Sequence, residues 1–194
     1  MTVPLVAVLA GGASTRMGRD KGMVALGGRS MAEWVVKAGS SVGEVLVVGR
    51  RGTLAGVPAV PDPGHTRGGP LAGLVAAFGQ AGSRAVLLVA VDQPWVRPET
   101  LRRLADLGDA TPIVPVAEGH RQTTCALYPP HLAAEAEAML TAGGSLRRLL
   151  AAAGCTDIEP PAWREWGEDG RSWFSVDDDA SAAEGIRRYG LPRS

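Results

Sequence analysis

The chain has 194 residues, 45% of them hydrophobic and 21% charged, a length and balance that suit one globular domain, 1–194, with a substantial core. Its 20 basic and 20 acidic residues cancel, so nothing in the charge calls for a nucleic acid or a membrane surface. Two widely separated cysteines, Cys125 and Cys155, make neither a metal-ligand spacing nor a disulfide framework. No stretch approaches the ~20 apolar residues of a membrane span. The first apolar run has no basic residues before it and leads into glycines rather than a cleavage site. The expectation is a cytoplasmic protein.

That run, Val3 to Ala10, predicts a buried strand that ends at Gly11-Gly12. Glycine lacks a Cβ, so the backbone there turns sharply and approaches a ligand closely. Successive amides in such a turn face an anion, and Arg16 and Lys21 add positive charge to the same loop. The combination suits a nucleotide polyphosphate. It is not a Walker A loop, because no Gly-Lys-Ser/Thr follows. Nor is it a dinucleotide fingerprint, since Ala13 stands where that pattern needs glycine.

Ser30 to Ala38 has helical spacing, with Met31, Trp34, Val35 and Ala38 on one face and a capping box from Ser30 and Glu33. Val45 to Val48 predicts a second buried strand, ended by Gly49-Arg50-Arg51-Gly52. Val57 to Val60 predicts a third, broken by Pro58. Pro61 to Pro70 is loop by composition. Pro70 suits the first turn of a helix whose apolar face is Leu71, Leu74, Val75 and Phe78. Ala85 to Val91 is the most apolar strand and is expected at the centre. Asp92-Gln93-Pro94 stops it, and Pro98 opens a helix from Glu99 to Leu107. Alternating strands and helices imply a parallel sheet covered on both faces, with right-handed crossovers. Ligands of such sheets bind beyond the carboxyl ends of the strands. Both the glycine loop and Asp92 occupy that edge.

The second half is less regular. Pro112 to Val116 and Thr123 to Tyr128 read as strands flanking Glu118-Gly119-His120-Arg121. A helix runs from Pro130 through Leu140, and another from Ser145 to Ala153. Pro160 to Gly170 reads as loop, Ser172 to Val176 as a last strand, and Ala180 to Tyr189 as a final helix entered through Asp177-Asp178-Asp179. His65, His120 and His131 form no ligand set. Trp163, Trp166 and Trp173 are expected in packing.

The stretch Leu9-Ala10-Gly11-Gly12-Ala13-Ser14-Thr15-Arg16-Met17-Gly18-Arg19-Asp20-Lys21 resembles the signature of the nucleotidyltransferase family that includes the molybdenum cofactor guanylyltransferases, at every fixed position. Gly69-Pro70-Leu71-Ala72-Gly73 and Asp92-Gln93-Pro94 agree with two further motifs of that family. The resemblance implies a three-layer α/β/α Rossmann-like sandwich with a mostly parallel sheet, similar to nucleotide-diphospho-sugar transferases. It also implies transfer of GMP from GTP to molybdenum-molybdopterin, giving molybdopterin guanine dinucleotide and pyrophosphate, with Mg²⁺ as cofactor and other molybdenum cofactor biosynthesis proteins as partners. Within the fold the alternatives are a cytidylyltransferase on the same pterin or a sugar-phosphate nucleotidyltransferase. From a different class, a catalytically silent nucleotide-binding module is the alternative.

Such a transfer needs charge neutralisation and in-line positioning. Arg16, Lys21 and Asp92 are the expected catalytic residues, Arg16 holding two oxygens of the leaving pyrophosphate and Lys21 acting as a point charge. The resemblance assigns nucleotide binding to Leu9, Ala10, Gly11, Gly12, Lys21, Asp62, Gly69 and Asp92, and metal binding to Asp92 and Asp177. Asp20 either orients Lys21 or sits exposed. Asp177 is a metal ligand or a helix cap, while Asp178 and Asp179 are expected only to cap the final helix. Arg121-Gln122, which fits the family pattern imperfectly, is placed towards the acceptor. Ser175 stands where relatives commonly have Asn, and Asp178-Asp179 where they have Thr-Pro.

Overall fold

The computed structural model describes residues 2–11, 20–63, 68–108 and 110–193. Gly12 and Arg16 of the glycine loop lie outside the described residues. Three hydrophobic strands form the middle of the sheet: β1 (Leu5–Leu9), β4 (Val45–Val48) and β7 (Val86–Ala90). β1 pairs in parallel with both of the others. They are apolar at successive positions because both faces are covered. Val6, Val8, Leu87 and Val89 pack on one side with α1 (Met31–Ser40) and α3 (Pro98–Asp106). Leu5, Ala7, Val86 and Leu88 pack on the other with α2 (Gly69–Ala81), α4 (Ala133–Thr141) and α5 (Leu146–Ala153). The result is the expected three-layer α/β/α sandwich.

The remaining strands are a small hairpin of β2 (Ala25–Leu26) and β3 (Arg29–Ser30), then β5 (Gly52–Leu54), β6 (Val57–Val60), β8 (Ile113–Ala117), β9 (His120–Arg121), β10 (Cys125–Tyr128) and β11 (Thr156–Ile158). The main sheet runs β11-β8-β10-β7-β1-β4-β6-β5, with β9 paired to β8. β7 is central, as expected. β10 is antiparallel to both neighbours, so the sheet is mixed beyond β7.

Local chemistry explains most boundaries. Ser30 and Glu33 form the expected capping box at the start of α1. Pro70 and Pro98 sit in the first turns of α2 and α3, where no intrahelical N–H is needed. Three expectations are corrected. Pro58 does not break β6, because β6 meets β4 only through Ala59 and Val60 and Pro58 faces the edge strand β5. The glycine turn ends β4 at Val48 as expected, and the edge strand β5, unexpected from the sequence, follows from Gly52; its hairpin closes through Ala55 and Gly56, both at positive φ (51° and 76°). Pro160 and Pro161 open a short helix, α6 (Pro160–Arg164), rather than lying in a loop. Ser172 to Val176 is not a strand. It begins as a 3-10 turn, Arg171–Trp173, because the buried Glu168 carboxylate gathers the Ser172 hydroxyl, the Thr100 hydroxyl and the Asp169 and Gly170 amides. The helix expected from Pro130 likewise begins as a 3-10 turn, Pro130–Leu132, before α4. The last helix, α7, spans Asp179–Tyr189. No helix among the described residues is long and apolar enough to cross a membrane.

Candidate active site

A cleft of about 360 Å³ opens at the carboxyl edge of β1 and β7. Leu9, Ala10 and Gly11 line one side, and Asp92 lines the floor. The chain leaves β1 through a close crossing with the end of β4. A Cβ on Gly11 would lie 2.7 Å from the Cα of Gly49, and one on Gly49 only 2.6 Å from the Cα of Gly11. Backbone meets backbone there, and Gly49 has φ +96°, so only glycine serves at either position.

Lys21 projects into the cleft from a 3-10 turn, Lys21–Met23. Asp20 caps that turn by accepting the Gly22 N–H at 3.0 Å, and its other oxygen pairs with the Arg50 guanidinium at 2.6 Å. Asp20 therefore holds the turn that carries Lys21. The Lys21 ammonium lies 2.7 Å from an Asp177 oxygen and 3.6 Å from an Asp92 oxygen. Burial works against its charge, but the hydrogen bond to Asp177 and the charges of Asp92 and Asp177 outweigh that and raise its pKa. The Asp92 carboxyl is also raised. Burial dominates, and the Lys21 charge offsets it only in part.

Asp177 is exposed and reaches the cleft from the segment before α7. Its backbone N–H donates to the Ser181 hydroxyl at 2.9 Å. Capping itself falls to Asp178, whose carboxylate accepts the Ser181 N–H at 2.7 Å. Thus Leu9, Ala10, Gly11, Lys21, Asp92 and Asp177 come together around one cleft. Asp62 and Gly69 do not line it. Gly69 opens α2 at φ +53°, and its neighbour Pro70 reaches the wall. Asp62 lies behind the glycine crossing, with Oδ1 3.5 Å from the Cβ position of Gly49. That oxygen is buried without a hydrogen-bond partner among the described residues, and burial raises the carboxyl pKa. Arg121 forms a bidentate pair with Asp157 at 2.7 and 2.8 Å, away from the cleft. Trp163 and Trp173 are buried against each other, centroids 4.9 Å apart. The cleft wall also includes Thr124 and Ser175. Ser175 carried a signal only as a departure from the family pattern, and so did Thr124, which with Thr123 makes the Arg121-Gln122 stretch fit that pattern imperfectly.

A mostly parallel sheet with glycine, lysine and two carboxylates at its carboxyl edge defines an α/β protein of the nucleotide-binding class. The chain belongs to the MobA-like NTP transferase domain family, whose profile matches residues 6–157. It is 35% identical over 139 residues to a molybdenum cofactor guanylyltransferase of Rhizobium leguminosarum bv. trifolii, covering 69% of this chain and 66% of that protein. It is 34% identical over 145 residues to a protein of the same name from Cereibacter sphaeroides, covering 70% of this chain and 74% of the relative. The match thus spans about two thirds to three quarters of these curated relatives. Among solved structures, the molybdopterin-guanine dinucleotide biosynthesis protein A of Archaeoglobus fulgidus superposes with a TM-score of 0.80 at 23% identity, over 94% of this chain and 97% of that one. The 2-C-methyl-D-erythritol 4-phosphate cytidylyltransferase of Thermus thermophilus does so at 0.69 and 20% identity, over 96% and 98%. The two structures share the fold with this chain.

Proposed function

We propose that the chain, acting as a single domain, transfers GMP from GTP to molybdenum-molybdopterin in the cytoplasm, releasing pyrophosphate. The observation that carries this reading is the meeting of Lys21, Asp92 and Asp177 beside the glycine-rich end of β1. The guanylyl choice is supported by the names of the relatives at 34–35% identity.

In the reaction, an oxygen of the acceptor's phosphate bonds to the α-phosphorus of GTP while the bond from that phosphorus to the bridging oxygen breaks. The Gly11 amide is the one offered to the phosphates, since the Ala10 N–H donates to the Val48 carbonyl at 2.9 Å. Lys21 leaves the carboxylates to neutralise phosphate oxygens, and Arg16 takes the charge of the leaving pyrophosphate. Asp62, whose Oδ1 has no partner among the described residues, is the acceptor that the family resemblance reserves for a hydroxyl or N–H of the nucleoside.

Asp92 and Asp177 fit a Mg²⁺ ion, because both converge on one positive charge, which the Lys21 ammonium now supplies. Magnesium characteristically takes one or two carboxylates and completes its shell with phosphate oxygens and water. Among the described residues no group of three or more His, Cys, Asp or Glu forms a dedicated metal cage. When bound, the ion supplies charge neutralisation at the triphosphate.

A thermal-shift panel of GTP, CTP, ATP and UTP, with and without Mg²⁺, tests the reading. A ligand at ~100 times its dissociation constant adds about 2.7 kcal/mol, which raises Tm by roughly 5–10 °C at this chain length. GTP is expected to stabilise most, and only fully with Mg²⁺. Equal stabilisation by every nucleotide, or by none, removes the guanylyl assignment.

A further inference from the structure

Beneath the charged residues lies an apolar cluster separate from the two main cores, built around Trp95, Val24 and Val176. Three of its members are each tied in sequence to one cleft residue. Val24 follows the Lys21 turn, Trp95 follows Asp92 by three residues, and Val176 directly precedes Asp177. The Val176 N–H donates to the Asp92 carbonyl at 2.8 Å, so the two carboxylate-bearing segments are joined by backbone as well.

Trp95 is the centre of this cluster and is 4% exposed. Its indole N–H donates to the Gly190 carbonyl, just past the end of α7, at 2.8 Å. Its ring meets Phe174 edge-on at 5.7 Å and Tyr189 at 6.2 Å. Mid-helix, Gly185 presses on the far edge of the indole, and a Cβ there would lie 2.2 Å from Cη2 and 2.5 Å from Cζ3. The indole therefore grips α7 at two points, its middle and its C-terminal end. Asp177 sits at the other end of that helix.

Resting on the function proposed above, we infer that Trp95 is a positioning residue: by gripping α7 through Gly185 and Gly190 it sets Asp177 against Asp92 for the divalent cation. A misplacement of about 1 Å at a reacting centre costs about 10²-fold in rate. The grip is rigid because the indole is held by both its hydrogen bond and its aromatic neighbours.

Gly185→Ala tests this without removing the tryptophan. Alanine is the better helix former, so a loss does not come from weakening α7 itself. Mn²⁺ affinity is read from the free-ion electron paramagnetic resonance signal in the presence of GTP, and GTP affinity is read separately without metal. Gly185→Ala is expected to weaken Mn²⁺ binding about tenfold or more and leave metal-free GTP affinity within about twofold. Trp95→Phe, which keeps an aromatic ring but loses the N–H to Gly190 and the reach to Gly185, is expected to weaken Mn²⁺ binding by a similar factor. Wild-type Mn²⁺ affinity in Gly185→Ala, or equal loss of metal-free GTP binding, overturns the positioning role. If the wild-type protein binds GTP and turns over yet neither variant changes its metal affinity, only this inference fails. If the wild-type protein binds no Mn²⁺ with GTP and transfers no nucleotide, the functional reading fails and the metal role with it.

Discussion

Lys21→Met keeps most of the apolar stem of the side chain and removes only its charge. In the native protein that charge lies 3.6 Å from Asp92 and 2.7 Å from Asp177. At an effective dielectric of about 20, a pair at the Asp92 distance attracts by about 4–5 kcal/mol. Desolvation of a largely covered ammonium takes back about half. The Asp177 pair adds less than about 1 kcal/mol, because that carboxylate is exposed. The expected loss is therefore about 2–3 kcal/mol, or roughly 5–10 °C in Tm at this chain length.

Its pH dependence identifies the cause. The folded Lys21 pKa lies above its ordinary value of 10.5. Its stabilisation is therefore fully present below about pH 10.5 and is lost as pH rises through the folded value. On the acid side the same contribution fades as Asp92 takes up its proton. The gap between wild type and Lys21→Met should be widest near neutral pH and close below about pH 4, by urea or thermal unfolding across that range. A gap that persists unchanged in acid would mean that packing, not charge, holds Lys21. No gap at neutral pH would refute the electrostatic account outright.

Other substitutions separate the remaining roles. Asp92→Asn should raise Tm at pH 7 while abolishing transfer. The folded Asp92 pKa is raised, so its contribution is present below the ordinary 3.8 and lost as pH rises through the folded value; the gain should disappear near pH 3 in thermal unfolding. Asp178→Ala should lower the urea unfolding midpoint, as loss of an N-cap does, and keep near-normal turnover. Asp177→Ala should do the reverse, losing metal-dependent turnover with stability within about 1 kcal/mol of wild type. Gly11→Ala forces a methyl to 2.7 Å from the Gly49 backbone. It should cost about 1–3 kcal/mol by overpacking and weaken GTP binding at least tenfold in a fluorescence titration.

What was legible in the sequence was what local pattern controls. β1, β4 and β7 announce themselves because strands buried on both faces are apolar without a break. Ser30 with Glu33, and Pro70 and Pro98, mark their helices by capping chemistry. The β5–β6 turn was hidden because Ala55 occupies a left-handed position without the Asn-Gly or Asp-Gly signal. β11 was hidden because it is a short edge strand beginning Thr156-Asp157. Ser172 to Val176 looked like a strand by composition, but the buried Glu168 captures its start. Asp177 stood out from an ordinary helix cap only through the family resemblance, whereas Lys21 and Asp92 were readable from their places beside strand ends. The Asp20–Arg50 pair and the Trp95 grip were not, since each joins segments far apart in the chain.

The most direct measurement is turnover itself: the purified protein, Mg²⁺, molybdenum-molybdopterin and either GTP or CTP, with pyrophosphate and the dinucleotide product both quantified. The account predicts one pyrophosphate per molybdopterin guanine dinucleotide formed from GTP, and a rate with CTP lower by about 10²-fold or more. Equal or faster reaction with CTP, or no product from either nucleotide, would contradict it.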